Sequence, residues 1–159
     1  MPGIARLLRA RSCTLSVAES CTAGGLGWAL TRVPGSSDYF VGGVQAYADS
    51  VKRDILGVPE DILRKHGAVS KETAKLMAEQ VQSMFGTTIG IAITGIAGPG
   101  GGTLKKPVGT VWFGIAGPAG SGAEERRFDG RRAGIRRQAV RHALEMIEEY
   151  LYRGIRENG

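Results

Sequence analysis

The sequence predicts an α/β protein, a three-layer α/β/α sandwich on a mixed, mostly parallel sheet. Strand-like apolar runs alternate with segments of helical apolar spacing along the whole chain, which is typical of this class. Two late strand-like runs, residues 108–116 and 124–128, are close enough in sequence to form an antiparallel pair. At 159 residues and 42% hydrophobic composition, the chain fits a single domain, 1–159, with enough apolar residues for a core.

The first half of the chain is predicted to alternate between short helices and two strands. The spacing of Ile4, Leu7 and Leu8 predicts a first helix packed on the domain. The elements that follow are a strand over 14–18, a helix over 22–33 with Ala23, Leu26, Leu30 and Val33 on one face, a strand over 39–47, a short helix capped by Asp49 and stopped at 57–59, and a short helix over 61–65.

The second half begins with the clearest helix of the sequence, which we expect Ser70 to cap. Its apolar stripe, which we expect in the core, consists of Ala74, Met77, Ala78, Val81, Met84 and Phe85. A buried strand over 88–93, a glycine-rich loop, a strand over 108–116 and an edge strand over 124–128 follow. The last helix, over 135–151, is expected to face the sheet with Ile135, Ala139, Ala143, Ile147 and Leu151.

Composition argues against several classes of protein. No apolar run approaches the roughly 18 residues of a membrane span, and the N-terminal segment lacks the pattern of a secretory signal, so we expect a cytoplasmic protein without a membrane partner. Cys13 and Cys21 flank the first predicted strand, too far apart to bridge if it is extended. These cysteines, with His66 and His142, do not have the spacing of metal ligands. We therefore expect no disulfide, no metal and no cofactor.

The net charge of +6 favours an anionic partner, either nucleic acid or a small phosphorylated ligand. Much of the excess lies in one block, formed by Arg126, Arg127, Arg131, Arg132, Arg136, Arg137 and Arg141. Only Phe128 is interleaved, whereas single-strand binders use stacking platforms, so nucleic acid is the less favoured partner. A solvated basic face is the simplest alternative.

Ser20 is the first candidate for chemistry, because an apolar strand ends there and a glycine-punctuated helix is predicted to open. A hydroxyl beside the unpaired N–H groups of a helix start can act as a nucleophile or hold an oxyanion, as in nucleophile elbows. The alternative is a simple helix cap by Ser20 or Thr22. Cys21 is a rival nucleophile, or else a small buried residue.

Ser20, Tyr47 and Thr94 all stand at the ends of predicted strands, where ligands of open α/β sheets bind, so they are expected to share one cleft. Thr94 and Gly95 begin the glycine-rich loop, whose N–H groups can cradle a phosphate or a carboxamide. The loop lacks the lysine step of a Walker A motif, and an ordinary surface turn is the alternative. Lys52 is either a solvated surface lysine or, if partly buried, a base for Ser20.

Four segments carry a resemblance to a known family: ESCTAGG, VGGVQAYADSVKRDILGV, HGAVS and AITGIAGPGGGTLKKPVGTVWFG. They resemble the CinA C-terminal domain family, the nicotinamide-nucleotide amidase proteins linked by name to competence and damage induction, and the likeness extends from about residue 7 to about 151. The resemblance implies an α/β/α domain that hydrolyses nicotinamide mononucleotide to nicotinate mononucleotide and ammonia without a metal, and a homodimer. The alternative is a non-catalytic module that binds nucleic acid or a protein partner.

The resemblance also implies roles for individual residues. Ser20 is the expected nucleophile and Lys52 its activating partner, with Tyr47 as a third catalytic residue. The expected substrate-binding residues are Cys21 and Thr22, whose backbone N–H groups would hold the oxyanion, together with Thr94, Gly95, Gly98, Gly100, Arg132 and Arg136.

The sequence departs from the family pattern at three positions. Asp49 stands where relatives usually have Asn, Lys105 where they have Glu before Lys-Pro, and Arg131 where they have Asp before Arg. The carboxylate of Asp49 would favour the charged form of Lys52, so it would slow the amidase or shift its pH range. Arg131 removes a carboxylate that would orient Arg132.

The start of the last predicted helix is electrostatically unusual. Arg131, Arg132, Arg136 and Arg137 crowd its first turns, where the helix dipole already favours acidic residues, and Asp129 offsets this only in part. A bound phosphate would resolve the conflict. We expect Arg136, with Arg132 as second choice, to hold the mononucleotide phosphate. The alternatives are solvated arginines or an acidic surface of a second subunit.

Overall fold

The computed structural model describes residues 2–156, with side chains over 3–153, so the ends of the predicted domain at residue 1 and residues 157–159 lie outside the described part. The strands are β1 (Leu15–Glu19), β2 (Phe40–Gln45), β3 (Ile89–Gly95), β4 (Thr110–Ala116) and β5 (Gly122–Arg127). The helices are α1 (Pro2–Ala10), α2 (Gly25–Thr31), α3 (Asp49–Asp54), α4 (Glu60–His66), α5 (Lys71–Phe85) and α6 (Arg132–Arg156), with a 3-10 turn at Ser36–Asp38.

The strands form one sheet in the order β2-β1-β3-β4-β5. β1 pairs in parallel with β2 and β3, and β4 pairs antiparallel with β3 and β5. Four of the five strands therefore point the same way and β4 runs against them. This confirms the predicted mixed, mostly parallel sheet and places the carboxyl ends of β1, β2 and β3 side by side.

Helices cover both faces of this sheet. On one face α1, α2 and α6 enclose a core that includes Leu15 and Val17 of β1 and Ile91 and Ile93 of β3. On the other face α5 contacts all five strands, and residues that follow α3 pack against it. The predicted three-layer α/β/α architecture is confirmed.

Small residues let α5 lie close to the sheet. A Cβ at Gly90 would be 2.2 Å from the Ala78 carbonyl oxygen, and a Cβ at Gly114 would be 2.0 Å from that of Ala74. Both distances are far below van der Waals contact, so these two strand positions accept only glycine with the helix in place.

The helices with the clearest apolar stripes are as predicted. The five apolar positions of α6, from Ile135 to Leu151, are at most 2% exposed. Ser70 caps α5, its Oγ accepting a hydrogen bond from Thr73 N at 3.2 Å. The predicted stripe of α5 is wrong at one end, because Met84 is 48% exposed. It lies at the margin of the stripe in the last turn, where the helix reaches the rim of the core.

Among the element boundaries that differ from the sequence predictions, three concern the candidate site. α2 begins at Gly25 rather than at residue 22, and the strand predicted over 39–47 ends at Gln45, so Tyr47 lies in a loop. Asp49 is the first residue of α3 and not its cap, a position taken by Ala48. Within residues 2–156, no helix combines the length and apolar character that a membrane span requires.

Candidate active site

Ser20 directly follows β1 at the centre of the parallel part of the sheet. Its backbone N–H donates to the Ile93 carbonyl at 2.9 Å, which extends the β1–β3 ladder and sets Ser20 beside Thr94. On the other side, the β1–β2 register ends with Glu19 opposite Gln45, directly before Ser20 and Ala46. By strand alternation its side chain lies on the α5 face, with Ala18 and Ala46. Ser20 is 8% exposed, and its Oγ has no hydrogen-bond partner in the described chain.

A tight turn, not a helix start, follows Ser20. The Ala23 N–H donates to the Ser20 carbonyl at 3.1 Å, and Ala23 and Gly24 take left-handed backbone conformations with φ of 47° and 90°. The N-cap of α2 is Gly24 and has no side-chain cap. The predictions that Ser20 opens or caps a helix, and that Thr22 caps it, are therefore wrong.

Glu19 occupies the N-terminus of α2, and sequence reasoning missed it. Its carboxylate accepts hydrogen bonds from Leu26 N at 3.0 Å and Gly27 N at 2.8 Å, and the residue is 1% exposed. The first N–H groups of α2 are therefore not available to an oxyanion on Ser20. The backbone N–H groups of Cys21 and Thr22 donate to no other residue in the described chain, which leaves them as the nearest available donors. The sequence feature that could have indicated the role of Glu19 is an acidic residue at the end of an otherwise apolar strand.

Lys52 is buried in α3, with 1% of its surface exposed, so the solvated-lysine alternative is wrong. Its Nζ donates to the Tyr47 carbonyl and to Asp49 Oδ1, both at 3.2 Å. Tyr47 lies two residues after Gln45, which pairs with Glu19 at the end of β1, so the Lys52 amine is held at the edge of the sheet where Ser20 follows β1. The Asp49 carboxyl is largely exposed, which allows water to screen its charge.

Arg132 connects the two loops that flank Ser20. Its Nη2 donates to the Tyr47 hydroxyl at 2.9 Å, and its Nη1 donates to the Gly98 carbonyl at 2.8 Å. These loops follow β2 and β3, and β1 lies between those strands in the sheet. The guanidinium of Arg132 therefore spans the end of β1 and links Tyr47 to the glycine-rich loop.

Thr94 lies at the same edge of the sheet as Ser20, but its side chain is hydrogen-bonded within the protein. Thr94 Oγ1 donates to the Ala68 carbonyl at 2.8 Å, which anchors the segment before α5. Gly95 is the last residue of β3, where a Cβ would be 2.7 Å from Val111 Cγ2, so this glycine serves the pairing with β4.

Contacts with the rest of the protein fix two parts of the glycine-rich loop, and its tip is open. Gly98, with φ of 77°, precedes a cis proline and lies so close to Val108 that a Cβ would be 2.5 Å from its side chain. Gly100 is exposed, and a Cβ at this position would have no atom within 4 Å. Lys106 Nζ fixes the far end of the loop by donating to the His66 carbonyl at 2.8 Å. The open part is therefore the tip around Gly100.

The Cys21 thiol is a poor nucleophile in this environment. Burial raises its pKa to about 11, and the carboxylate of Glu19 acts in the same direction, against the smaller opposing effects of its own backbone N–H and of Arg136 and Arg132. The thiol is protonated at neutral pH, which favours the interpretation of Cys21 as a small buried residue.

Arg136 reaches the turn from α6. Its Nη2 donates to the Thr22 carbonyl at 2.9 Å, while its Nε is buried and has no hydrogen-bond partner among the described residues. Cys13 and Cys21 are free cysteines. Over the described residues, no group of three or more His, Cys, Asp or Glu side chains is placed to hold a metal ion.

Comparison with known proteins gives a consistent set of matches. A sequence model described as the CinA C-terminal domain matches residues 2–151. A CinA-like protein of Synechococcus sp. (strain RCC307) is 51% identical over 142 residues, which cover 88% of this chain and 34% of that protein. The chain spans about a third of the length of the curated relatives it matches.

Solved structures match over nearly their whole length. A competence-damaged protein (CinA) superfamily protein from Klebsiella pneumoniae superimposes with a TM-score of 0.91 at 36% identity, covering 95% of this chain and 94% of that chain. The competence/damage inducible protein CihA from Agrobacterium tumefaciens gives a TM-score of 0.87 at 38% identity, covering 94% and 96%.

Proposed function

The chain belongs to the CinA C-terminal domain family, and from that premise we propose that it is an amidase converting nicotinamide mononucleotide to nicotinate mononucleotide and ammonia in the cytoplasm. One observation carries the proposal: the buried amine of Lys52 is held at the strand end where the Ser20 hydroxyl has no hydrogen-bond partner among the described residues. A hydroxyl and a buried amine at one site are the parts of a serine–lysine hydrolase.

The proposed reaction begins with proton transfer from Ser20 Oγ to neutral Lys52 Nζ as Oγ attacks the carboxamide carbon. The backbone N–H groups of Cys21 and Thr22 stabilise the oxyanion. The carbon–nitrogen bond then breaks, and the proton on Nζ passes to the leaving nitrogen, which departs as ammonia. Water attacks the resulting ester, giving one proton to Nζ, and the proton returns to Oγ as nicotinate mononucleotide is released.

Neighbouring groups support these roles. The Tyr47 carbonyl holds Nζ in place, and the Tyr47 hydroxyl, fixed by Arg132, is available at the cleft. Asp49 Oδ1 accepts a second hydrogen bond from Nζ at 3.2 Å, from a carboxyl group that is largely exposed.

The direct experiment is to incubate the protein with nicotinamide mononucleotide and follow ammonia and nicotinate mononucleotide. Ser20→Ala should abolish turnover and leave the fold intact, and Cys21→Ala, the matched neighbour, should keep most of it. Turnover in folded Ser20→Ala would exclude Ser20 as nucleophile, and loss confined to Cys21→Ala would assign the thiol. Folded wild-type protein without turnover between pH 7 and 10 would favour a non-catalytic module.

We also propose that the protein assembles as a homodimer, an expectation taken from its family. Light scattering with size-exclusion chromatography measures the mass directly. A mass of about 16.8 kDa at micromolar concentration would exclude the dimer.

A further inference from the structure

The tip of the glycine-rich loop has little burial to hold it in place. Residues 99–105 are all exposed, and Leu104 is fully so. Two backbone hydrogen bonds close the base of the loop, from Ile96 N to the Thr110 carbonyl at 2.9 Å and from Gly109 N to the Ile96 carbonyl at 2.8 Å. An exposed segment gains no packing energy, so the position of the tip depends on hydrogen bonds at its two ends.

Side chains hold the two ends of the tip on opposite faces of the sheet. At its start, Arg132 of α6 donates to the Gly98 carbonyl at 2.8 Å. At its end, Lys106 Nζ donates at 2.8 Å to the carbonyl of His66, the last residue of α4. α6 belongs to the core on one face of the sheet, and α4 packs against the core on the α5 face. The tip therefore crosses the end of the sheet between these two hydrogen bonds.

Lys106 also shapes the end of the tip that it holds. Its backbone N–H donates to Thr103 Oγ1 at 3.0 Å, and its carbonyl accepts from Thr103 N at 2.8 Å. These two bonds close residues 103–106 into one turn, so the bond from Nζ to α4 fixes the whole turn. The neighbouring Lys105 is exposed, and its side chain has no hydrogen bond or ion pair among the described residues.

The segment that receives Lys106 is fixed by side chains from several elements. Its three consecutive carbonyls, at residues 66, 67 and 68, all accept side-chain hydrogen bonds. The donors, at 2.8–2.9 Å, are Lys106 to residue 66, Ser70 and Thr73 to residue 67, and Thr94 to residue 68. Residues 66–68 therefore form a fixed point to which the loop is attached.

This fixed point lies at the end of the sheet where Ser20 is found. Thr94 directly follows Ile93, whose carbonyl accepts the Ser20 N–H at 2.9 Å. By strand alternation the side chains of Ser20 and Thr94 both lie on the α5 face, where Thr94 Oγ1 donates to the Ala68 carbonyl. Lys106 thus attaches the tip of the loop to a segment on the same face as the proposed nucleophile.

We propose that Lys106 is a positioning residue, which holds the tip of the glycine-rich loop where it contacts a substrate bound at Ser20. The inference rests on the proposed function. Lys106 acts through the loop and touches neither the substrate nor the reacting atoms. Without its bond to α4, the tip keeps its hydrogen bond to Arg132 at one end only, so substrate binding weakens while the chemistry at Ser20 is unaltered.

The first test is amide hydrogen exchange of the ligand-free protein, measured by NMR at residues 103 and 106, which are hydrogen-bonded to each other. Lys106→Met should speed exchange at both amides, because methionine keeps the length of the side chain but cannot donate to the His66 carbonyl. Lys105→Met is the matched control and should exchange like the wild type. Equal exchange rates in the two variants would overturn the role of Lys106 in ordering the loop.

The second test is steady-state kinetics with nicotinamide mononucleotide, on variants shown by urea unfolding to be folded. Lys106→Met should lower kcat/KM by roughly tenfold to a hundredfold, the effect of a displacement of about 1 Å at the substrate, and should do so through KM. Lys106→Arg keeps a donor for the His66 carbonyl and should recover most of the loss, and Lys105→Met should match the wild type. A loss in kcat with unchanged KM, or no recovery in Lys106→Arg, would overturn the positioning role.

The two tests together separate this inference from the proposed function. Hydrolysis of the nucleotide by Lys106→Met with the KM of the wild type would overturn the positioning role and retain the amidase. Faster exchange in Lys106→Met of a protein that hydrolyses no nucleotide would overturn the amidase and retain Lys106 as the residue that orders the loop.

Discussion

Replacing Lys52 by methionine should remove activity and leave the fold almost unchanged. Methionine has nearly the same length and fills the buried space, but it has no amine. The change deletes the hydrogen bonds from Nζ to the Tyr47 carbonyl and to Asp49 Oδ1, both at 3.2 Å. The two consequences differ in size, and this difference is the test.

The effect on stability is a small difference between opposing contributions. The lost bond to the Tyr47 carbonyl is worth about 1.5–3 kcal/mol for a charged donor. The pair with the largely exposed Asp49 is worth at most about 1 kcal/mol. Removal of a buried ammonium relieves a desolvation penalty of several kcal/mol. The free energy of unfolding should therefore change by no more than about 2 kcal/mol, which leaves a domain of about 5–15 kcal/mol folded.

The effect on turnover should be far larger, because a positioned general base contributes about 10²–10⁴-fold. Ammonia release and urea unfolding are measured on the same preparations, with Lys75→Met as control, since Lys75 is partly exposed on α5 and pairs with Glu79. Folded Lys52→Met with more than a tenth of wild-type turnover would refute the assignment of Lys52 as base.

Three further predictions follow from other parts of the molecule. Asp49→Asn should lower the free energy of unfolding by no more than about 1 kcal/mol in urea, because the carboxyl group that pairs with Lys52 Nζ at 3.2 Å is largely exposed; a larger loss would mean that water does not screen this pair. Iodoacetamide at pH 8 should alkylate Cys13 well before Cys21, since a pKa of about 11 leaves roughly one Cys21 thiol in a thousand ionised, and peptide mass spectrometry reads both sites. Gly114→Ala should destabilise the fold by about 1–3 kcal/mol or more in urea, because the new Cβ would be 2.0 Å from the Ala74 carbonyl oxygen.

Each of these has a clear contrary result. Faster labelling of Cys21 than of Cys13 would mean that the turn after β1 opens to solvent. Gly122→Ala, on β5 with no atom within 4 Å of the new Cβ, is the control for Gly114→Ala. Equal destabilisation by the two glycine variants would mean that backbone freedom, not the contact with α5, is responsible.

Features specified by neighbouring residues were predictable from the sequence. The apolar stripe of α6 repeats every three to four residues from Ile135, and Ser70 caps α5 through a backbone N–H three positions away. Strand ends were also predictable as a group: Ser20 and Thr94 are expected together, and each directly follows a member of the last β1–β3 pair, Glu19 and Ile93.

The start of α2 was not predictable by the same means. The groups that satisfy its first N–H donors belong to Glu19 on the preceding strand, and the intervening turn includes Ala23 in a left-handed conformation that alanine seldom takes. Local propensity favours a helix from residue 22, whereas the left-handed turn at Ala23 and Gly24 and the Glu19 carboxylate accompany a start at residue 25.

The partners of the site arginines were out of reach for a different reason. Arg132 donates to a carbonyl 34 residues away and Arg136 to one 114 residues away. Backbone carbonyls have no signature in a sequence, so clustering at a helix start can indicate an arginine-rich site but cannot identify what each guanidinium contacts.

The carboxylate of Glu19 constrains the turn around Ser20 in the folded protein. Its bonds at 3.0 and 2.8 Å join residue 19 to residues 26 and 27 and close a ring of chain in which Ser20, Cys21 and Thr22 are held. The ring closes as the protein folds, so the backbone strain at Ala23 is present before any ligand arrives. A substrate therefore meets a preorganised turn, and its binding free energy is not reduced by the entropy of ordering the residues that would attack it.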